Sequence, residues 1–167
     1  MARLVEGRAG LADRIKVSIA DYAVASEGLL TTSGLGSCLG IVIYDPERGV
    51  SGLVHPMLAR RDGDGTRPPE RFVDSGIDRL VEELLAAGAE ESALRAKITG
   101  GAAVVDFGND EESIGDRNVA AARETLADRG IEIVGEEVGG SFGRTVHVDA
   151  ETGTVTVKRT DGVETEL

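Results

Sequence analysis

Apolar residues along this chain recur with two different periods, and the switches between them mark out strands and helices. Ile15, Val17 and Ile19 alternate with Lys16, Ser18 and Ala20, which predicts a first strand within residues 15–25, and Leu29-Leu30-Thr31-Thr32 predicts a second. Apolar runs at 39–44 and 50–55 flank the turn residues Tyr44-Asp45-Pro46-Glu47-Arg48-Gly49, the pattern of a hairpin. Residues 59–69 are too polar and too broken by Gly and Pro to pack, so a mobile surface loop is expected there. Between 70 and 87 the spacing turns to three and four at Phe72, Val73, Ile77, Leu80, Val81, Leu84 and Leu85, an amphipathic helix that Gly88 ends. A strand over 97–105 runs through Gly100-Gly101. A second helix over 113–129 turns Ile114, Val119, Ala122 and Leu126 inward and stops at Gly130. A strand over 131–138 follows, and residues 144–149 and 154–159 close the chain as a hairpin around Glu151-Thr152-Gly153.

Strands in hairpins beside two good helices define an α+β fold, a layered sandwich of mixed, largely antiparallel sheets covered by the two helices. A doubly wound parallel sheet would need strands and helices in regular alternation, and the first third of the chain carries strands only. At 167 residues the chain fits one domain, 1–167, with about the first twelve residues a ragged terminus.

Charge narrows the partners. Thirty acidic residues against eighteen basic ones leave a net charge of −12, which repels phosphate backbones and argues against nucleic acid. Only Lys16, Lys97 and Lys158 are lysines, and the remaining basic residues are arginines. An acid-rich, lysine-poor surface suits solubility at high salt, so a halophilic source is expected. The single cysteine cannot form an internal disulfide, and no apolar segment follows Met1-Ala2-Arg3-Leu4-Val5-Glu6, so a cytoplasmic protein without membrane insertion is expected.

That cysteine, Cys38, ends the run Thr32-Ser33-Gly34-Leu35-Gly36-Ser37-Cys38 just before the first hairpin strand, and His55 lies at the end of the second. With the turn centred near Glu47, the two residues would sit directly opposite across the ladder and on one face, where thiol and imidazole could meet. A Cys–His nucleophilic pair follows, suited to acyl transfer on an amide or ester. Gly36 and Ser37 leave little bulk near the sulfur, and the backbone N–H groups of Ser37 and Cys38 could face a developing oxyanion. The Thr32 hydroxyl is able to hold His55 in one tautomer. Set against this, a lone cysteine is most often a buried small hydrophobe and a single strand histidine is usually structural.

These residues carry a resemblance to the CheD family of chemoreceptor glutamine deamidases. Its most specific part is Thr32-Ser33-Gly34-Leu35-Gly36-Ser37-Cys38, followed by Tyr44-Asp45-Pro46 and His55-Pro56-Met57-Leu58. Support extends to residues 96–102, Ile114-Gly115-Asp116-Arg117-Asn118, Gly139-Gly140 and Gly143-Arg144. The resemblance implies a catalytic set of Cys38, His55 and Thr32. It implies deamidation of glutamines on methyl-accepting chemotaxis receptors, methyl-ester hydrolysis in some members, and binding to a CheC-type phosphatase. It also implies a fold shared with the catalytic domain of cytotoxic necrotizing factor toxins, and no metal or cofactor. Thr99 departs from the family, which commonly has an aromatic before the glycine pair, and an altered substrate or partner contact is expected there; the loop 60–69 is unusually charged.

Other classes stay open. One is a regulatory binding module that docks on receptors or on CheC, with catalysis secondary or absent. A phosphate loop at Gly34–Ser37 fares badly, since it lacks a lysine and precedes a strand. His147, in an alternating strand, reads as a surface residue, and Arg117 and Asn118 as capping or ion-pair residues with a substrate role as the alternative.

Overall fold

The computed structural model describes residues 4–5, 14–61, 63, 65–103 and 113–167. In chain order the strands are β1 Leu4–Val5, β2 Arg14–Lys16, β3 Tyr22–Ala25, β4 Leu29–Leu35, β5 Leu39–Asp45, β6 Val50–Val54, β7 Arg95–Gly100, β8 Glu132–Val138, β9 Arg144–Asp149, β10 Val155–Arg159 and β11 Glu164–Glu166. The helices are α1 Val73–Ala86 and α2 Ile114–Asp128. One sheet has the order β1-β3-β6-β5-β7-β8 and the other β11-β10-β9-β4-β2. Both are mixed, because β1–β3, β7–β8 and β2–β4 run parallel while every other pair is antiparallel.

Side-chain alternation along β5 explains the three layers. Leu39, Ile41 and Ile43 join Ile77, Leu80 and Leu84 of α1 and Val119 and Leu126 of α2 in the core beneath the helices. Val42, on the opposite face, packs with Leu53 against Leu30, Val146, Val148 and Val157 of the second sheet. A strand buried on both faces reads as a continuous apolar run rather than an alternating one. The α+β class and the two helices expected from periodicity are present. Among the described residues no helix is long and apolar enough to cross a membrane.

Several expectations need correction. Residues 15–25 do not form one strand: the chain turns at 18–21, so β2 and β3 lie in different sheets, with the Asp21 N–H on the Ser18 carbonyl and Ala20 at φ 59°. Strand β4 runs on to Leu35, through a bulge between Thr32 and Leu35. Leu85 and Ile114 are exposed rather than inward. The strand expected over 97–105 is β7 at 95–100, its last two residues lying outside the described ones, as do residues 62 and 64 of the expected surface loop and most of the expected ragged terminus.

The hairpin exists with its register two residues away from the expected one. Ile41 pairs with Val54, Ile43 with Gly52 and Asp45 with Val50. Asp45 is the reason. Its Oδ1 accepts the N–H groups of Glu47 and Arg48, and its carbonyl accepts that of Gly49, which closes a four-residue loop over 46–49. By continuation of the ladder His55 falls level with Gly40, and Cys38 is its diagonal neighbour, ~7–8 Å away in such pairs.

Candidate functional site

The shift of register preserves which face each residue occupies, because a displacement of two leaves side-chain parity unchanged. Cys38, half-buried just before β5, packs against the core between the two sheets. His55, just after β6, shares the parity of Leu53, which lies in that same core, and is buried. Thr32 comes from the facing sheet: the bulge, with Gly34 at φ 72°, keeps Thr32 and Leu35 both buried while Ser33 and Gly34 are exposed. Bulges of this kind often re-aim side chains beside functional sites. Thr32 from one sheet and Cys38 and His55 from the other therefore all lie toward the space between the two sheets.

Thr32 and His55 meet directly. Thr32 Oγ1 donates to the Val17 carbonyl at 2.7 Å and lies 2.8 Å from His55 Nδ1. A hydroxyl has one proton. With that proton on Val17, Oγ1 accepts from Nδ1–H, and the neutral imidazole keeps its lone pair on Nε2. That atom is buried and has no hydrogen-bond partner among the described residues, the Cys38 thiol included. Burial pushes the imidazole pKa down from 6.5 to about 4, so His55 is neutral at pH 7. Burial pushes the Cys38 thiol up, an effect its own backbone N–H partly offsets. The resting pair is thus thiol and imidazole rather than thiolate and imidazolium. Such a pair suits base-assisted attack, in which proton and sulfur move together.

The loop before Cys38 is held on several sides. The Gly101 N–H donates to the Cys38 carbonyl, the Ala102 N–H to the Gly36 carbonyl, and the Leu39 N–H to the Pro56 carbonyl. A Cβ on Gly100 would stand 2.3 Å from the Cys38 carbonyl oxygen, so β7 approaches this closely only as glycine. Gly36 spends its own N–H on the Gly34 carbonyl. The N–H groups of Ser37 and Cys38 donate to no other residue among the described ones.

Other expected residues fall elsewhere. Thr99 is buried with its hydroxyl toward Glu137, so it presents no surface to a substrate or partner. His147 lies in β9 between Thr31 and Thr156, on the face of that sheet turned away from the core. Arg117 is exposed. Asn118 is fully buried and neither caps nor pairs with an ion, since Ser113 Oγ caps α2 through the Asp116 N–H. Its Nδ2 donates to the Ser37 and Met57 carbonyls. The clue in the sequence was its helical spacing, which puts residue 118 on the buried side with Gly115, Val119 and Ala122. A cleft of about 890 Å³ lies instead by the hairpin tip, among Ser26, Pro46, Arg48, Asp149 and Thr152, and includes none of Thr32, Cys38 and His55. Among the described residues no group of three His, Cys, Asp or Glu stands ready to hold a metal.

A layered α+β domain that places a cysteine and a threonine-bound histidine on one inner face is built like a site for thiol chemistry. The chain belongs to the CheD family. The family profile, described as CheD chemotactic sensory transduction, matches residues 57–159. A protein of Natronomonas pharaonis called "Probable chemoreceptor glutamine deamidase CheD" is 72% identical over 93% of this chain and 93% of its own length. One of the same name from Haloarcula marismortui is 49% identical, over 87% of this chain and 85% of its own. Among solved structures, YlmD from Geobacillus stearothermophilus overlays with a TM-score of 0.46 at 16% identity, over 72% of this chain and 51% of that chain.

Proposed function

We propose that this protein deamidates particular glutamine side chains on chemotaxis receptors, as a protein-glutamine glutaminase with a cysteine nucleophile. The observation that carries the proposal is the Thr32–His55 hydrogen bond, which leaves Nε2 unprotonated on the same inner face as Cys38, in a chain of the CheD family. The name its relatives carry supplies the substrate class. The site would act in the cytoplasm, where receptor signalling helices and a CheC-type phosphatase are its partners. The likeness to the catalytic domain of cytotoxic necrotizing factor toxins belongs to the same proposal.

The reaction would run in two halves. His55 Nε2 takes the thiol proton as the sulfur of Cys38 bonds to the glutamine Cδ, and the carbonyl oxygen becomes an oxyanion facing the Ser37 and Cys38 N–H groups. The C–N bond then breaks, His55 returns the proton to the leaving amine, and ammonia departs from a thioester. Water attacks that thioester with His55 as base, giving glutamate and the free thiol. Thr32 holds the tautomer throughout, and where Nδ1–H carries the new positive charge its hydroxyl oxygen is the acceptor. Methyl-ester hydrolysis would follow the same course with methanol as the leaving group.

The test is ammonia release from receptors incubated with the protein, with mass spectrometry locating each exchange of NH2 for OH. Cys38→Ala is expected to abolish both signals. Full activity in that variant would exclude the mechanism. One observation favours a second reading, a docking module with little catalysis: Nε2 makes no hydrogen bond to the thiol. In that case the wild-type protein would bind receptors or CheC and release no ammonia.

A further inference from the structure

We propose that Asn118 is a positioning residue for Cys38: its side-chain amide ties the Ser37–Cys38 peptide and the chain after His55 to the first turns of α2, and so sets the direction of the Cys38 N–H. Nδ2 carries two hydrogens, and both are used. One goes to the Ser37 carbonyl at 2.8 Å and the other to the Met57 carbonyl at 3.0 Å. A flipped amide would set its oxygen against two carbonyl oxygens, so the orientation is determined by the partners.

The Ser37 carbonyl has no other donor among the described residues, whereas the Gly36, Cys38 and Pro56 carbonyls are held by backbone N–H groups. Asn118 therefore governs the one peptide plane in this loop that backbone bonding leaves open. No cis peptide occurs among the described residues, so across this bond the C=O and N–H point in opposite directions. With the Ser37 carbonyl drawn toward α2, the Cys38 N–H is turned away from the helix. That N–H lowers the Cys38 thiol pKa against the effect of burial, and it is one of the donors an oxyanion on the acylated sulfur would meet. The second hydrogen bond, to Met57, ties the histidine-bearing chain to the same amide, so one side chain holds the thiol and imidazole segments in register.

Two further features fit a positioning role. Gly115 lets the helix come this near, since a Cβ there would stand 2.3 Å from the Gly101 carbonyl oxygen. Asn118 Oδ1 is buried without a partner among the described residues. An unmet buried acceptor is destabilising, so the amide is kept here for its donors.

The inference rests on the proposed deamidase activity, and its test separates the two. Asn118→Ala and Asn118→Ser are compared with the wild-type protein by thermal melting, by deamidation kinetics on receptors and by the pH dependence of Cys38 alkylation with iodoacetamide. Folded Asn118→Ala is expected to lose about 10²-fold in kcat with KM within about twofold, as when an oxyanion donor is misdirected. Its alkylation curve is expected to move to higher pH, and Asn118→Ser, which keeps one donor, to fall between. A folded alanine variant with wild-type kcat, a change in KM alone, or an unmoved alkylation curve would each overturn the proposal. So would failure of both variants to fold, which would assign Asn118 to stability only. Where the wild-type protein releases no ammonia, the deamidase reading fails by itself, and the alkylation shift still decides the role of Asn118.

Discussion

Thr32 accepts the His55 Nδ1 proton because its own proton is committed to the Val17 carbonyl, at 2.7 Å on one side and 2.8 Å on the other. A threonine can orient an imidazole in this way only if the hydroxyl rotor is fixed. Here Val17 fixes it, and the Val17 N–H is in turn bonded to the Thr31 carbonyl at 2.8 Å. Thr32→Val keeps the shape, removes the acceptor and frees the other tautomer. Its kcat for deamidation is expected to fall about 10²–10³-fold, less than where a carboxylate orients the ring. Thr32→Ser, which keeps the hydroxyl, should stay within about tenfold. Equal loss in both variants would show that packing, rather than the hydrogen bond, is what matters at this position.

The pH behaviour follows from the burial of His55. Its folded pKa is about 4 against 6.5 in the open, so between those values the unfolded chain binds more protons and stability rises with pH. The contribution is fully present above pH 6.5 and is lost as pH falls toward 4, amounting to about 3 kcal/mol. Denaturant melts from pH 7 to pH 4 should show this loss in the wild-type protein and a flatter curve in His55→Asn. The acid limb of kcat/KM should fall near pH 4. An inflection near 6.5 would mean that His55 is solvated in the working enzyme.

Much of this was legible beforehand, and the misses have physical causes. The heptad-like spacing in α1 and the Gly/Pro turn at 45–49 are local signals, and both elements formed. The hairpin register depends on how Asp45 spends its side chain: Oδ2 takes the Glu90 N–H, a residue 45 positions away. The split between β2 and β3 occurs at Ser18-Ile19-Ala20, without Gly or Pro to mark it, and is held by the Ala20 N–H on the His55 carbonyl. Asn118 finds its acceptors 81 and 61 residues away. Contacts of that range leave no trace in periodicity.

Cys38 should react slowly with alkylating agents at neutral pH despite its place in the site. Burial raises the thiol pKa, and Nε2 does not hold its proton in the free protein. Iodoacetamide trapping is expected to accelerate with pH through an inflection above that of a free cysteine, at ~8.5. Fast modification at pH 7 with a flat pH profile would indicate a preformed thiolate–imidazolium pair and would replace concerted proton transfer by attack from a standing nucleophile.

Lys97 offers a stability test away from the site. It is buried in β7, its Nζ donates to the Gly153 and Leu167 carbonyls at 2.8 and 2.7 Å, and it lies 5.0 Å from the centre of the Tyr44 ring. Burial lowers its pKa, opposed in part by Glu166. Lys97→Met keeps the stem and removes the donors, leaving the Gly153 carbonyl to find water while the Leu167 oxygen keeps the Val155 N–H, at a cost of about 1–3 kcal/mol. Urea melts should show that loss while the deamidation rate stays unchanged. An unaltered midpoint would mean that water already serves the Gly153 carbonyl.

Salt is the last variable, and two effects oppose each other. Many arginines are already committed to acidic partners: Arg48 to Glu90, Arg60 to Glu124, Arg123 to Glu136, Arg129 to Asp78 and Arg144 to Glu137. Screening weakens such pairs, but exposed ones contribute only ~0–1 kcal/mol each. The charge left over is acidic, a net −12 spread over a small domain. Its mutual repulsion acts over longer distances, so it is screened strongly as the Debye length falls from ~10 Å at 0.1 M to ~3 Å at 1 M. The repulsive term should dominate, and the melting temperature should rise steadily as potassium chloride goes from 0.1 to 2 M, about twentyfold in ionic strength. A flat or falling melting curve would show that the ion pairs outweigh the net charge and would remove the case for a halophilic surface.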